Sequence, residues 1–129
     1  MSHVVYDSGA LIAAAKNDRR FLGRHKALLL RGDIPLVPAG VLAQCWDERA
    51  SAAMLHWTLS GCRVMPLTES GAKAAAVLCR RNKTSDVIDA GVVLASIAYD
   101  EAPILTDDPG DIRALAACAG REGIVVERP

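Results

Sequence analysis

The sequence predicts an α/β domain whose mainly parallel central sheet is sandwiched between helices. Two observations carry that reading. Short β-branched runs alternate with helical segments along the whole chain, and such alternation implies right-handed crossovers that cover both faces of a parallel sheet. In addition, 129 residues with 51% hydrophobic positions suit a single core, one that buries roughly two-thirds of the unfolded surface. No repeat, low-complexity linker or composition shift marks a boundary, so residues 1–129 read as one domain.

Taken in order, "HVVYD" is short and β-branched and predicts a buried strand ending at Asp7, and "SGALIAAAK" after it has helical spacing. "RRFLGRHKALLLRG" repeats apolar residues at Phe21, Leu22, Leu28 and Leu29 and closes on Gly32, the pattern of a helix with a glycine stop. "IPLVP" is a brief strand between prolines. Pro38 suits the first position of a long helix, "PAGVLAQCWDERASAAMLHWTLSG", with a break expected between Glu48 and Ser51. "CRVMPL" is a strand. "TESGAKAAAVLCRRN" opens with Thr68 in a capping position, and "TSDVIDAGVVLASIAYD" is apolar on nearly every side beyond Asp89, as a central buried helix would be. "APILTDD" is a strand, "PGDIRALAACAG" a helix with proline in its first turn, and "IVVE" a last strand. Strand order is not readable from the pattern.

Fifteen basic and fifteen acidic side chains cancel, so a nucleic-acid partner would have to be held by local basic clusters. Cys45, Cys62, Cys79 and Cys118 lie far apart, without zinc-site spacing, and read as reduced thiols in a cytosolic core. No apolar run approaches the roughly 20 residues of a membrane span, and the start lacks a leader pattern, so a soluble, cytoplasmic protein is expected.

The chemistry lies in the aspartates. Ligands of open parallel sheets gather beyond the carboxyl ends of the strands, where Asp7 and Asp108 stand. Asp86 and Asp89 are three apart, on one helical face in a first turn near the same edge. Singly, each acid is an ordinary cap or dipole partner, and Asp108, Pro109 and Asp111 match cap, first and third positions of a helix start. Together they repel, because caps stabilise by only about 1 kcal/mol each while crowded carboxylates are costly without a cation. Asp89 begins the run "AGVVLASIA", where an unpaired charge is penalised. Oxygen ligands favour Mg²⁺ or Mn²⁺ over zinc, and such a site suits phosphodiester hydrolysis by activated water.

The segments "VVYDSGALIAA", "VPAGVLAQCW", "TSDVIDAGVVLA" and "ILTDDPGDIRAL", in that order, resemble PIN-domain proteins, in particular VapC-type toxin ribonucleases of bacterial toxin–antitoxin pairs. The likeness covers almost the whole chain. It implies Mg²⁺ or Mn²⁺ bound by Asp7, Asp89 and Asp108, with Asp86 assisting and Asp111 in a supporting role. It also implies an RNA substrate, a small antitoxin partner and a homodimer. The chain departs from the family where many members carry Glu on the helix after the second strand. Gln44 stands there, accepts through its carbonyl and brings no charge, which leaves open a non-catalytic module that binds RNA or antitoxin.

Ser8 and Thr106 flank Asp7 and Asp108 and either orient carboxylates or serve as caps. Arg80, Arg81 and Lys83 precede Asp86 and are the basic cluster better placed for RNA phosphates; Arg19, Arg20, Arg24 and Lys26 form a second, read as a solvated face. His3, His25 and His56 share no ligand spacing. Trp46 and Trp57 are expected in the core or at a subunit interface. A phospho-receiver-like domain also collects acids at strand ends, but needs a middle-strand Asp and a late-strand Lys that "CRVMPL" and "ILTDD" do not supply.

Overall fold

The computed structural model describes residues 2–129. Five strands form one all-parallel sheet: β1 (His3–Tyr6), β2 (Ile34–Pro38), β3 (Arg63–Met65), β4 (Ile104–Leu105) and β5 (Val126–Glu127), in the order β3-β2-β1-β4-β5. Helices α1 (Ser8–Ala15) and α2 (Arg19–Leu30) connect β1 to β2, and α3 (Ala39–Cys45) and α4 (Ala53–Ser60) connect β2 to β3. The chain then returns through α5 (Glu69–Arg81) and α6 (Val87–Ala98) to β4, and α7 (Pro109–Cys118) leads to β5. Because the sheet grows in one direction from β1 through β2 and in the other through β4, right-handed crossovers place the two helix groups on opposite faces. The packing agrees for most pairs: α1 meets α2, α3 and α4, while α6 meets α5 and α7, and α3 also reaches α6.

The expected α/β sandwich is thus present. The long helix from Pro38 to Gly61 divides into α3, a 3-10 turn at Ala50–Ala52 and α4, with the chain between Trp46 and Arg49 outside any helix. The late strands are shorter than "APILTDD" and "IVVE" suggest, with two residues each in β4 and β5. Val5, Tyr6, Leu36, Val37, Ile104 and Leu105 form the floor of the core.

Helix α6 is central but not enclosed. Ala90, Val92, Val93, Ala95 and Ser96 are buried, whereas Val87 is 53% exposed. Its remaining apolar face lines a cavity of about 500 Å³ together with Pro38, Met65, Leu67 and Ala72. The apolar surround of "DVIDAGVVLASIA" therefore splits between core and cavity wall. All four cysteines are free; Cys79 is buried, Cys45 and Cys62 are half-buried, and Cys118 is exposed rather than in the core. Among the described residues no helix is long and apolar enough to cross a membrane.

Candidate metal centre at the carboxyl edge of the sheet

The connection reverses direction at β1, so the crevice between the carboxyl ends of β1 and β4 is the switch point where ligands of such sheets bind. Register sets its walls. Val5 pairs with Ile104 and Tyr6 with Leu105, so one further step brings Asp7 beside Thr106. Asp7 N–H donates to Leu105 O at 2.9 Å, and the Thr106 hydroxyl donates to Asp7 Oδ2 at 2.6 Å. Asp7 also caps α1, Oδ1 accepting from Ser8 N–H at 2.8 Å. Both carboxylate oxygens are therefore held, and the side chain is buried at 4% exposure. The same Thr106 hydroxyl accepts from Asp108 N–H at 3.0 Å, fixing the turn into α7.

Asp86 caps α6, and its Oδ1 accepts from Asp89 N–H at 3.0 Å. Asp89, in that first turn, is half-buried. Burial first, then the Asp86, Asp7 and Asp108 carboxylates, push its carboxyl up to about 7. Four acids predicted from the sequence therefore share one field. Among the described residues none of them sits in a salt bridge, and no three His, Cys, Asp or Glu side chains converge as a ready metal cage. The four are near enough for Asp86, Asp7 and Asp108 to act on Asp89, without three of them meeting at one point. An unpaired, all-oxygen donor set of this kind fits a hard divalent cation such as Mg²⁺ or Mn²⁺ better than zinc.

The other predicted residues separate. Ser8 lies at the mouth through its backbone, and Thr106 bridges Asp7 and Asp108 as described. Asp111 is exposed in the first turn of α7 and is not among the charges felt by Asp89. Gln44 is exposed, and its neighbour Cys45 is half-buried. The Cys45 thiol lies 3.9 Å from Ser8 O, and burial, then the charge on Asp7, push it up. Burial, then Asp86 and Asp89, do the same to Cys79.

Arg80, Arg81 and Lys83 are exposed where α5 turns toward Asp86, with Lys83 in the left-handed region at φ 54°. In the second basic cluster, Arg24 has a structural task, donating to Glu127 at 2.7 Å and to Arg128 O at 3.0 Å. His25 is buried in the core against Tyr6, whose hydroxyl lies 2.7 Å from His25 Nδ1. Trp57 packs edge-on against His25 and Trp46 stacks on His56, yet both indoles stay partly exposed, at 41% and 54%. Neither tryptophan is a core residue of this chain.

Two contributors escape the sequence patterns that single out acids. Gly9 lets Asp107 close over the start of α1: a Cβ there would stand 2.5 Å from Asp107 Cγ and 2.8 Å from Asp107 N. Cys45 lies within the field of Asp7, in the place where attention falls on Gln44. The only sequence signal for Gly9 is its position two residues after a strand-end acid, and none marks Cys45.

No protein-family model matches the sequence, and no curated protein is significantly similar to it. Among solved structures, a chain in the crystal structure of VapBC2 from Rickettsia felis bound to a DNA fragment from their promoter superposes with a TM-score of 0.70. The match covers 98% of this chain and 98% of that chain at 12% sequence identity. Agreement at that identity speaks to architecture alone, and the architecture is a PIN-like, VapC-type α/β fold.

Proposed function

We propose that this protein is a Mg²⁺- or Mn²⁺-dependent endoribonuclease, the toxin of a type II toxin–antitoxin pair. The observation that carries the reading is the set of four aspartates without a salt-bridge partner near the β1/β4 switch point, where burial and then the neighbouring carboxylates push Asp89 up to about 7. Asp7, Asp89 and Asp108 would hold the cation, with Asp86 beside them. Bound there, a divalent ion supplies an activated water and neutralises phosphate charge. The chain's own groups orient and exclude: Thr106 locks Asp7 and the Asp108 turn, and Asp86 fixes the first turn that carries Asp89. Ser8, Gln44 and Asp111 border the site, and exposed Arg80, Arg81 and Lys83 suit phosphate contacts along a single RNA strand.

The fold likeness supports a partner reading. The VapBC2 structure is a complex on promoter DNA, and a small antitoxin that covers the acidic edge is proposed for this chain too, along with a homodimer in solution. Co-expression with the product of the adjacent open reading frame, followed by co-purification, tests the first, and sedimentation tests the second.

A second reading, a PIN module that binds without cutting, is favoured by Gln44 in place of Glu. One experiment separates the two. Labelled single-stranded RNA is incubated with the protein in Mn²⁺, Mg²⁺ or EDTA, with metal binding measured by calorimetry. Metal-dependent cleavage that Asp108→Asn removes supports the nuclease; metal binding without cleavage supports the module. A phospho-receiver would incorporate phosphate from acetyl phosphate, which neither reading allows.

A further inference from the structure

Trp46 ends α3, directly after Cys45, whose thiol touches Ser8 O at the acidic edge. One peptide unit, about 3.8 Å between Cα atoms, thus separates the indole's backbone from a residue that borders the carboxylates. One face of the indole is covered by His56, with ring centroids 4.9 Å apart and planes inclined by 26°. Trp46 is nevertheless 54% exposed.

The stack is braced on both sides. His56 Nε2 lies 2.6 Å from Asp47 O, and since a carbonyl only accepts, Nε2 carries the hydrogen. The Asp47 carboxylate in turn accepts from Arg49 Nε at 2.9 Å, Arg49 Nη2 at 2.7 Å and Arg49 N–H at 3.0 Å. The turn outside any helix thus carries hydrogen bonds on both sides of Asp47, and the indole is backed by His56 before any ligand arrives. Ordering costs that binding would otherwise incur are already met.

We propose that Trp46, backed by His56, is a stacking subsite for one nucleobase of a single-stranded RNA lying across the carboxylate edge. The proposal rests on the nuclease reading for its strand, and names where that strand is gripped. A flat aromatic face receives any base, because every base presents a π-face. Exposed Arg80, Arg81 and Lys83, near Asp86 on the α5–α6 side, suit the phosphates, whereas the α3–α4 turn suits a base.

The test uses the non-cleaving Asp108→Asn chain and fluorescence anisotropy with labelled hexauridylate, alongside hexauridylates carrying one abasic ribose at each position in turn. Trp46→Ala weakens hexauridylate binding by about tenfold, whereas Trp46→Phe stays within about threefold. One abasic oligomer weakens the parent by a similar factor and Trp46→Ala no further. Should Trp46→Ala melt early, base-dependent quenching of Trp46 in a Trp57→Phe background decides instead. Equal binding by Trp46→Ala and its parent overturns the subsite. So does a Trp46→Ala shift in sedimentation with unchanged RNA binding, which assigns the face to a second copy. Metal-dependent cleavage by the unsubstituted chain is scored separately: cleavage with Trp46-independent binding removes the subsite alone, and Trp46-dependent binding without cleavage removes the nuclease reading alone.

Discussion

Thr106 and Asp7, separated by 99 positions in the chain, are joined by a 2.6 Å hydrogen bond from the threonine hydroxyl to Asp7 Oδ2. That fully buried hydroxyl also receives Asp108 N–H at 3.0 Å. One oxygen therefore ties the end of β1 to the turn after β4. Thr106→Val removes the donor to Asp7 and leaves Asp108 N–H without its acceptor, at a cost of about 1–3 kcal/mol. Urea unfolding should show a lower midpoint at unchanged slope, and Thr106→Ser should recover most of the loss.

Asp108→Asn is the cleanest probe of the proposed cation site. Its side chain makes no capping bond, unlike Asp7, so the isosteric amide should leave the melting temperature unchanged. Loss of groups that only support a ligand costs about 10–100-fold in affinity or activity, so loss of a direct ligand should cost at least about a hundredfold in metal-stimulated RNA cleavage. Full activity in this variant would remove Asp108 from the site. Asp7→Asn should lose both activity and stability, because Ser8 N–H and the Thr106 hydroxyl both bond to its carboxylate.

The pH dependence of the metal-free protein follows from Asp89. Burial and then Asp86, Asp7 and Asp108 push its carboxyl up to about 7, against about 4 in an unfolded chain. The folded state binds that proton more tightly. Its contribution to stability is complete below about pH 4 and is lost as the pH rises through about 7. In EDTA the melting temperature should fall over this window, by an amount equivalent to about 1 kcal/mol after discounting for partial solvent screening. Asp89→Asn should flatten the curve, and a parent chain already as flat as that variant would contradict the crowding. Added Mg²⁺ should flatten it as well, if the acids bind it.

Gly9 is required by the approach of Asp107. Gly9→Ala would place a methyl 2.5 Å from Asp107 Cγ and 2.8 Å from its backbone nitrogen. Backbone cannot rotate away as a side chain can, so the turn bearing Thr106 and Asp108 must shift, at about 1–3 kcal/mol. Calorimetry should show the destabilisation and the RNA assay a fall in cleavage. Gly23→Ala in α2, where nothing lies within 4 Å of the added Cβ, is the control and should be neutral or stabilising by up to about 1 kcal/mol.

Much of the fold was readable because the signals are local. Asp7, Thr68 and Asp86 each cap the helix that follows them, and an oxygen at a helix start acts over one turn of backbone. The interruption after α3 was readable in kind but not in place: the break expected between Glu48 and Ser51 begins already at Trp46. The ends of β4 and β5 were less so, since strand length depends on partners that the sequence does not name.

Read alone, the sequence determined the alternation of strands and helices, and it placed acids at strand ends and in helix first turns, because periodicity and capping act within a few residues. Tertiary structure decided the order β3-β2-β1-β4-β5 and with it the neighbourhood of Asp7 and Thr106. It also brought Cys45 within the field of Asp7 and left Trp46 more than half exposed. Successive helix residues point about 100° apart, so in a helix of 7 residues a small rotation changes which side chain faces the site, and packing against α1, α6 and strands β2 and β3 sets that rotation.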